Sequence, residues 1–405
     1  MGLHDPVTDW ATDFDHTDDA WVADPFPIWD ELRETCPVAH SERYHGVWLP
    51  TRHDHIAEIA HDTERFTSRQ VIVSEYRAPL DMAPQGTAPP ITSDPPYHQG
   101  ARRMLLPAFS PQAVAKLEPY TRQACQDLVD QLEGNDVVDA AEGYAQHIPV
   151  QVIAHMLGLP ASDGDQFRGF VNVVLEGVDQ KPEDREAGIV EFFRYLKDLI
   201  EDRMRNPGDD LVSYLLEVEL DGEKVDPFWV TRMIGLLMIA GIDTTWSAIG
   251  ASIWHLASVP GDRERLIAQP DLLPTAIEEL LRSYAPVTMA RLVREDIEFN
   301  GCAMKQDDFV LLPFPAANRD PAAFDRADEV IIDREVNRHA AFGLGIHRCV
   351  GSHLARMELR VALEVWLAAF PDFSLADAGA VRWSGGQVRG PRQLPLKVET
   401  RSERY

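Results

Sequence analysis

One cysteine, Cys349, lies in a run that could carry redox chemistry, Phe342-Gly343-Leu344-Gly345-Ile346-His347-Arg348-Cys349-Val350-Gly351. Its glycines allow a tight turn, and the apolar run Leu354–Leu367 predicts a helix after it. A cysteine at a helix N-terminus faces backbone N–H groups and the positive end of the dipole, which favours the thiolate. A shielded thiolate is the ligand that a haem iron needs for cleavage of an O–O bond. A buried structural cysteine is the alternative interpretation of this run.

A second chemically unusual run, Ala240-Gly241-Ile242-Asp243-Thr244-Thr245, interrupts an apolar helical pattern over Val230–Ser258. Gly, Asp and Thr are poor helix formers, and a threonine hydroxyl can bond back to a preceding carbonyl and open the helix. A carboxylate beside a hydroxyl suits the delivery of protons to a small ligand. The alternative interpretation is a buried kink with no chemical role.

Both runs resemble signatures of the cytochrome P450 family. The first matches F-G-x-G-x-H-x-C-x-G at its six fixed positions, and the second matches A/G-G-x-D/E-T-T/S throughout. The resemblance implies one haem b with Cys349 as its axial thiolate and with Phe342 and Gly351 beside it. It also implies that Thr244 hydrogen-bonds dioxygen and that Asp243 links it to a proton supply.

The resemblance extends to four residues that would bind the haem propionates. His98 and Arg102 stand in a run similar to the family's D-P-P-x-H-x-x-x-R helix, Arg291 follows Arg282 by nine residues, and His347 precedes Cys349 by two. A buried pair of propionates needs cations and hydrogen-bond donors. Taken singly, each of these four residues is more readily interpreted as a surface charge.

Glu279 and Arg282 lie three residues apart and therefore on one face of a predicted helix. Such pairs are common on solvated helices and alone indicate little. By resemblance they correspond to the family's core Glu–Arg pair, with Arg334 as a third member. Their expected role is structural, since they would fix the backbone that carries Cys349.

The substrate pocket is expected, again by resemblance, to be apolar and small to medium in size. No Arg or Lys stands among its predicted residues, although Arg69 and Arg77 nearby in the chain could anchor a carboxylate. Apolar stripes at helical spacing are as often plain core. The expected pocket residues are Leu236, Ile239 and Ala240 on the long helix, Val287, Thr288 and Met289 opposite, and Phe170 and Val174 from a lid helix.

The elements that would position these residues are mainly helical, with small β-sheets near each end. Six prolines between Ala78 and Pro96 forbid regular structure there and predict a long loop, where the family has its gating loop. The order resembles the cytochrome P450 fold, a single haem domain over residues 1–405. The predicted strands are Tyr44–Pro50, Phe309–Phe314 and the extended Val381–Leu396, and the predicted helices are Asp54–His61, Tyr97–Leu106, Pro111–Leu132, Ile148–Leu157, Gly164–Val174, Asp184–Arg205, Val230–Ser258 and Leu273–Tyr284.

The amino-acid composition argues against some classes of binding partner and indicates the cellular compartment. The formal net charge of −28 argues against nucleic acid and anionic membranes as partners. Neither a signal peptide nor a membrane-spanning run is evident, and the four scattered cysteines fit reduced thiols, so a cytoplasmic monomer is expected.

The expected function is that of a monooxygenase that inserts one oxygen atom from O₂ into an organic substrate. A ferredoxin or flavodoxin with its NAD(P)H reductase would supply electrons, because the 56 residues after Cys349 are too few for a reductase module. A peroxide-driven peroxygenase, a zinc hydrolase, a haem-based sensor and an excised domain of a reductase fusion remain alternatives. The donor is expected to dock near Arg103, Arg348, Arg356 and Arg360, unless these pair with acids such as Glu358 and Glu364.

Overall fold

The computed structural model describes residues 5–75, 84–176, 182–220 and 222–399. Helices dominate these residues, as expected. They are α1 Asp19–Ala23, α2 Phe26–Thr35, α3 His53–His61, α4 Tyr97–Leu105, α5 Pro111–Leu132, α6 His147–Met156, α7 Gly164–Val171, α8 Pro182–Arg205, α9 Leu211–Glu217, α10 Pro227–Ala240, α11 Asp243–Ser258, α12 Pro260–Ala268, α13 Leu273–Ser283, α14 Phe314–Ala317 and α15 Ser352–Ala369.

The strands form small sheets. They are β1 Val38–Ser41, β2 Val47–Pro50, β3 Phe66–Thr67, β4 Val137–Asp139, β5 Glu219–Leu220, β6 Glu223–Lys224, β7 Thr288–Val293, β8 Ile297–Phe299, β9 Cys302–Met304, β10 Phe309–Pro313, β11 Asp372–Leu375, β12 Arg382–Trp383, β13 Pro391–Gln393 and β14 Pro395–Glu399. The largest sheet described has the order β1-β2-β10-β7-β3. A three-stranded sheet has the order β11-β14-β4, and the other strands pair as hairpins.

Some element boundaries differ from the sequence predictions. The predicted strand Tyr44–Pro50 begins only at Val47, because Tyr44 adopts a left-handed φ of 53° in a turn. The predicted helix Gly164–Val174 ends at Val171 and continues as a wider π turn. The extended Val381–Leu396 is divided among β12, β13 and the start of β14.

The predicted single helix Val230–Ser258 is two helices, α10 and α11, with a break at Gly241-Ile242. The Thr244 hydroxyl donates to the Ala240 carbonyl at 2.9 Å, which is the back-bonding that opens a helix. A Cβ atom at Gly241 would come within 2.7 Å of the Ile153 side chain and 3.0 Å of the Leu237 carbonyl oxygen, so close packing at the break favours glycine.

The helices α10 and α11 lie in the largest hydrophobic cluster, together with residues of α5, α6, α13 and α15. By length and composition the stretch Pro227–Ser258 could cross a membrane, but 72% of its most apolar window is buried inside the protein. This stretch is therefore a core element of the described structure, and it forms one wall of the cavity that contains the candidate active site.

Candidate active site

A cavity of about 1410 Å³, its mouth included, brings the separated chemical runs of the sequence together. Thr244 lies on its wall, as do Phe342, Cys349 and Gly351 from the cysteine run. These residues are a hundred positions apart in the chain, so their meeting is a property of the tertiary structure. The cavity is the candidate active site.

Cys349 lies on a tight turn that precedes helix α15, not on the first helical turn itself, which begins at Ser352. The Cys349 N–H donates to the Phe342 carbonyl at 2.7 Å and closes the turn. Gly343 and Gly345 adopt φ values of 72° and 68°, and a side chain at Gly345 would collide with the Ala60 carbonyl. The turn therefore needs both glycines, and it leaves the Cys349 side chain exposed to the cavity.

The position of Cys349 does not by itself favour a thiolate, contrary to the sequence expectation. Surrounding protein atoms desolvate the sulfur, and this burial raises the pKa of the Cys349 thiol. The Gly351 N–H and the charges of Arg102, Arg348 and Arg356 lower the pKa, but by less than burial raises it. A metal ion bound to the sulfur would reverse the balance, because a coordinating thiol is deprotonated.

Four basic side chains line the same cavity, namely His98, Arg102, Arg291 and His347. The His98 and His347 rings pack edge to face with centroids 4.4 Å apart. Burial and the neighbouring arginines lower the pKa of His98 to about 4 and that of His347 to about 2. Burial lowers the pKa of Arg291 to about 10.

These four residues fit an anionic cofactor. Both ring nitrogens of His98 are buried and have no hydrogen-bond partner among the described residues. Arg291 is only 5% exposed, and its guanidinium donates to the adjacent Ala290 carbonyl at 2.7 Å. Buried donors and cations without acids are costly unless an anion joins them. Two carboxylates of a haem would satisfy this group.

The proposed proton-delivery pair is divided between two environments. Thr244 lines the cavity, whereas Asp243 is fully buried and is not on the cavity wall. The Asp243 Oδ1 atom accepts from Arg392 Nη2 at 2.6 Å. Arg392 also donates to Ser247 at 3.0 Å and stacks on Trp246, with 4.2 Å to the ring centroid. The carboxylate thus points towards strand β13.

Arg392 is a candidate functional residue that the sequence analysis missed. A buried aspartate needs a cation or several donors, so the sequence could have shown that a partner exists. Its identity depends on the packing of β13 against α11, across 149 residues of chain. No local pattern encodes that contact.

Glu279 and Arg282 are fully buried and form the expected core pair, with two bonds of 2.8 Å. Arg334 joins the pair at 3.0 Å, and the Ile331 N–H donates to Glu279 at 2.8 Å. Burial pushes the pKa of Glu279 up, but the Arg282 and Ile331 hydrogen bonds outweigh it, so the pKa is lowered. These bonds tie helix α13 to the irregular segment that precedes the cysteine turn.

Four of the eight expected pocket residues lie on the cavity wall, and four do not. One face of α10, which contains Leu236 and Ala240, forms part of the wall. Ile239 lies outside that face and does not line the cavity. In β7 alternate residues face opposite sides, so Thr288 cannot share the face of its neighbours. The wall residues are Leu236, Ala240, Val287 and Met289; Ile239, Thr288, Phe170 and Val174 lie elsewhere, and Pro90, Ile91, Leu237 and Pro286 join the wall.

Arg69, one of the two expected carboxylate anchors, does not reach this cavity. Arg69 is buried and forms an ion pair with Asp307, away from the wall. Arg77 lies outside the described residues. Phe170, expected from the lid helix, instead packs on Phe192 with ring centroids 5.0 Å apart.

Glu358 is an acid on the cavity wall to which the sequence analysis gave no site role. It is 1% exposed, and its Oε2 atom is buried without a hydrogen-bond partner in the described part of the chain. Burial raises the pKa of Glu358 well above its usual value. Burial therefore favours the protonated acid, and the side chain does not pair with the arginines of its own helix.

The four arginines expected at the donor-docking face divide into two kinds. Arg356 is bound by both oxygens of Glu278, at 2.6 and 2.7 Å. Arg360 pairs with acids of α5 and α15, Glu118 at 2.6 Å and Glu364 at 3.1 Å. The pairing alternative therefore holds for these two residues, although Glu358 is not a partner. Arg103 and Arg348 are exposed.

Comparison with known proteins gives consistent matches. The sequence profile of cytochrome P450 matches residues 167–377. The chain is 34% identical to cytochrome P450 107B1 of Saccharopolyspora erythraea, over 94% of this chain and 96% of that protein. It is 32% identical to mycinamicin IV hydroxylase/epoxidase of Micromonospora griseorubida, over 90% and 94%. The solved structure of cytochrome P450 PksS, of the Bacillus subtilis bacillaene polyketide synthase, superposes with a TM-score of 0.86 at 31% identity, over 95% and 100%.

Proposed function

The chain belongs to the cytochrome P450 family, and on that premise we propose that Cys349 is the axial ligand of one haem b. The chain has the fold of the family and is a haem-thiolate monooxygenase, an oxidoreductase. The relatives do not favour the peroxygenase, sensor or hydrolase alternatives. Residues 1–405 are proposed to form one haem domain.

The observation that carries this proposal is the composition of a single cavity. Cys349, four basic side chains of which His98 and Arg291 are buried, and a threonine at a helix break all line it. His98, Arg102, Arg291 and His347 would hold the propionates, and Phe342 and Gly351 would lie beside the ring. The haem, when bound through Cys349, supplies the redox chemistry that activates dioxygen.

Thr244 and Asp243 are proposed to move protons into the cavity. The Thr244 hydroxyl is within the cavity and bonds the Ala240 carbonyl, so it can exchange that bond for one to a ligand. Asp243 faces away and is held by Arg392 at 2.6 Å. We infer that the carboxylate must leave Arg392 to serve Thr244, which makes Arg392 a positioning residue in proton delivery.

The substrate is proposed to be a small-to-medium, largely apolar organic molecule that is hydroxylated or oxidatively dealkylated. Support comes from the apolar wall formed by Leu236, Ala240, Val287 and Met289. An apolar wall excludes water and gives the substrate most of its affinity through burial. One relative is named as a mycinamicin IV hydroxylase/epoxidase, and hydroxylation is one of the two reactions proposed here.

Members of the family in bacteria use redox partners, and we propose a ferredoxin or flavodoxin served by an NAD(P)H reductase. The exposed Arg103 and Arg348 would provide the docking charges, whereas ion pairs neutralise much of the charge of Arg356 and Arg360. A cytoplasmic monomer without nucleic-acid partners is proposed from the net charge of −28.

The test is the absorption spectrum of the reduced carbonyl complex of the wild type and of Cys349→His. The wild type should give the red-shifted band of a thiolate haem, and the variant should keep some haem but lose both the band and the oxygenase activity. The matched controls are Cys36→Ser, Cys125→Ala and Cys302→Ser, which should not change the spectrum. A Cys349→His protein that retains the wild-type band would contradict the proposal.

A further inference from the structure

Arg232 on helix α10 joins three elements at the substrate side of the cavity. Its Nη1 atom donates to the Thr87 carbonyl, 2.9 Å away, in the proline-rich loop. Its guanidinium lies over the Phe228 ring, 4.5 Å from the centroid, and near the Phe193 ring of α8, 5.6 Å from the centroid. One side chain thus fastens the loop to two helices.

The position of Arg232 connects it to the cavity wall. Leu236, one helical turn later, lies on the wall, and helical side chains point back towards the N-terminus. The guanidinium therefore lies beyond Leu236, on the side of α10 away from Thr244. Thr87 is three residues before Pro90 and four before Ile91, and both Pro90 and Ile91 line the cavity, as Leu236 does.

In its described part, residues 84–96, the loop is also anchored at Asp94. Asp94 accepts from the Ser68 N–H at 2.9 Å and from the Thr67 hydroxyl, and its own N–H donates to the Pro84 carbonyl at 2.8 Å. The Thr92 hydroxyl accepts from the Ala88 N–H at 2.7 Å, an internal bond of the loop. Arg232 is the side chain of α10 that bonds this loop among the described residues.

The Arg232 contact can open without exposing much of the hydrophobic core. Phe193 and Phe228 are 41% and 49% exposed, so separating them from the guanidinium exposes little additional core. The Nε atom of Arg232 is buried without a partner in the described part of the chain, so the closed state leaves one donor unsatisfied. Burial lowers the pKa of Arg232, which agrees with a partly desolvated guanidinium.

We propose that Arg232 is the positioning residue that holds the Pro90–Ile91 wall against α10 and so controls the passage of ligands into the cavity. The inference rests on the proposed function, since it takes this cavity as the site of haem and substrate. It predicts that loss of the contact changes the rates of entry and exit more than the affinity, because both directions cross the same barrier.

Stopped-flow absorption with two haem-iron ligands of different size, imidazole and 4-phenylimidazole, tests this role. Arg232→Ala should raise both the association and the dissociation rate of 4-phenylimidazole by about fivefold to tenfold, the effect of one charge-assisted bond in a half-exposed site. The dissociation constant should change by less than about threefold. The rates for imidazole should stay near wild type, since a small ligand needs little opening.

Matched variants separate the effect of losing the Arg232 contact from a general effect on folding. Arg194→Ala removes an exposed arginine of α8 beside Phe193 and should match the wild type. Arg232→Lys keeps the charge but loses the planar fork, and should give intermediate rates. Phe228→Ala should raise the association and dissociation rates of 4-phenylimidazole. Its effect should not add to that of Arg232→Ala, because the two side chains form one contact.

Hydrogen exchange of the loop amides gives a readout without haem ligands: peptides that contain Ala88 and Ile91 should exchange faster in Arg232→Ala, and not in Arg194→Ala. The inference would be overturned if Arg232→Ala had the ligand-binding rates and the loop hydrogen exchange of the wild type. It would also be overturned if the substitution raised the rates for imidazole and 4-phenylimidazole equally. A wild-type protein that shows no spectral shift with imidazole would instead contradict the proposed function.

Discussion

Removal of Arg392 is the sharpest test of how the proton-delivery pair is held. Arg392→Ala leaves the fully buried Asp243 carboxylate without its ion pair of 2.6 Å. It also removes the hydrogen bond to Ser247 and the stacking on Trp246. Loss of one partner of a buried ion pair costs about 3–5 kcal/mol. We therefore expect the free energy of unfolding to fall by about that amount at neutral pH.

Urea unfolding followed by tryptophan fluorescence measures this loss. Asp243→Asn and the double variant complete a double-mutant cycle, for which we expect a coupling free energy of about 2–3 kcal/mol. Arg382→Ala is the control, because it removes an exposed arginine from the neighbouring strand. A cost below about 1 kcal/mol for Arg392→Ala, together with additive effects in the cycle, would refute the view that Arg392 holds the carboxylate.

Three further predictions concern groups of the site and the docking face. Thr244→Ala should bind substrate and consume NAD(P)H but release hydrogen peroxide in place of product; an unchanged yield of product per electron would make Thr244 a mere helix kink. Burial raises the pKa of Glu358, so the native state keeps a proton that the unfolded state loses above about pH 4.3, and stability falls as the pH rises above that value. Glu358→Gln should therefore gain stability relative to the wild type as the pH rises from 5 to 8; a pH-independent difference in urea midpoints would contradict this. Arg348→Glu and Arg103→Glu should raise the KM for the electron donor, more at low salt because exposed charges are screened over about 10 Å at 0.1 M, and leave substrate binding unchanged. Reduction rates that are independent of salt and of these substitutions would refute docking there.

The sequence by itself was sufficient where the chemistry depends on residues close together in the chain. The glycine positions and Cys349 belong to one turn, whose backbone requires φ values of 72° and 68° at Gly343 and Gly345. The three-residue spacing of Glu279 and Arg282 places both on one helical face, although spacing alone did not show that the pair is buried. Thr244 bonds a carbonyl four residues earlier and breaks the helix there. Local backbone geometry encodes these features, so spacing predicts them.

Tertiary structure decided which way the same side chains face and what they meet. Asp243 is next to Thr244 in the chain, but its carboxylate accepts a hydrogen bond from Arg392. Arg356 forms an ion pair with Glu278, which is 78 residues away in the chain. Whether Ile239 reaches the cavity depends on a rotation of about 100° per residue around α10, which the packing of neighbouring helices sets. Buried charges and apolar faces must be satisfied, but the partner that satisfies them comes from whichever distant element packs alongside.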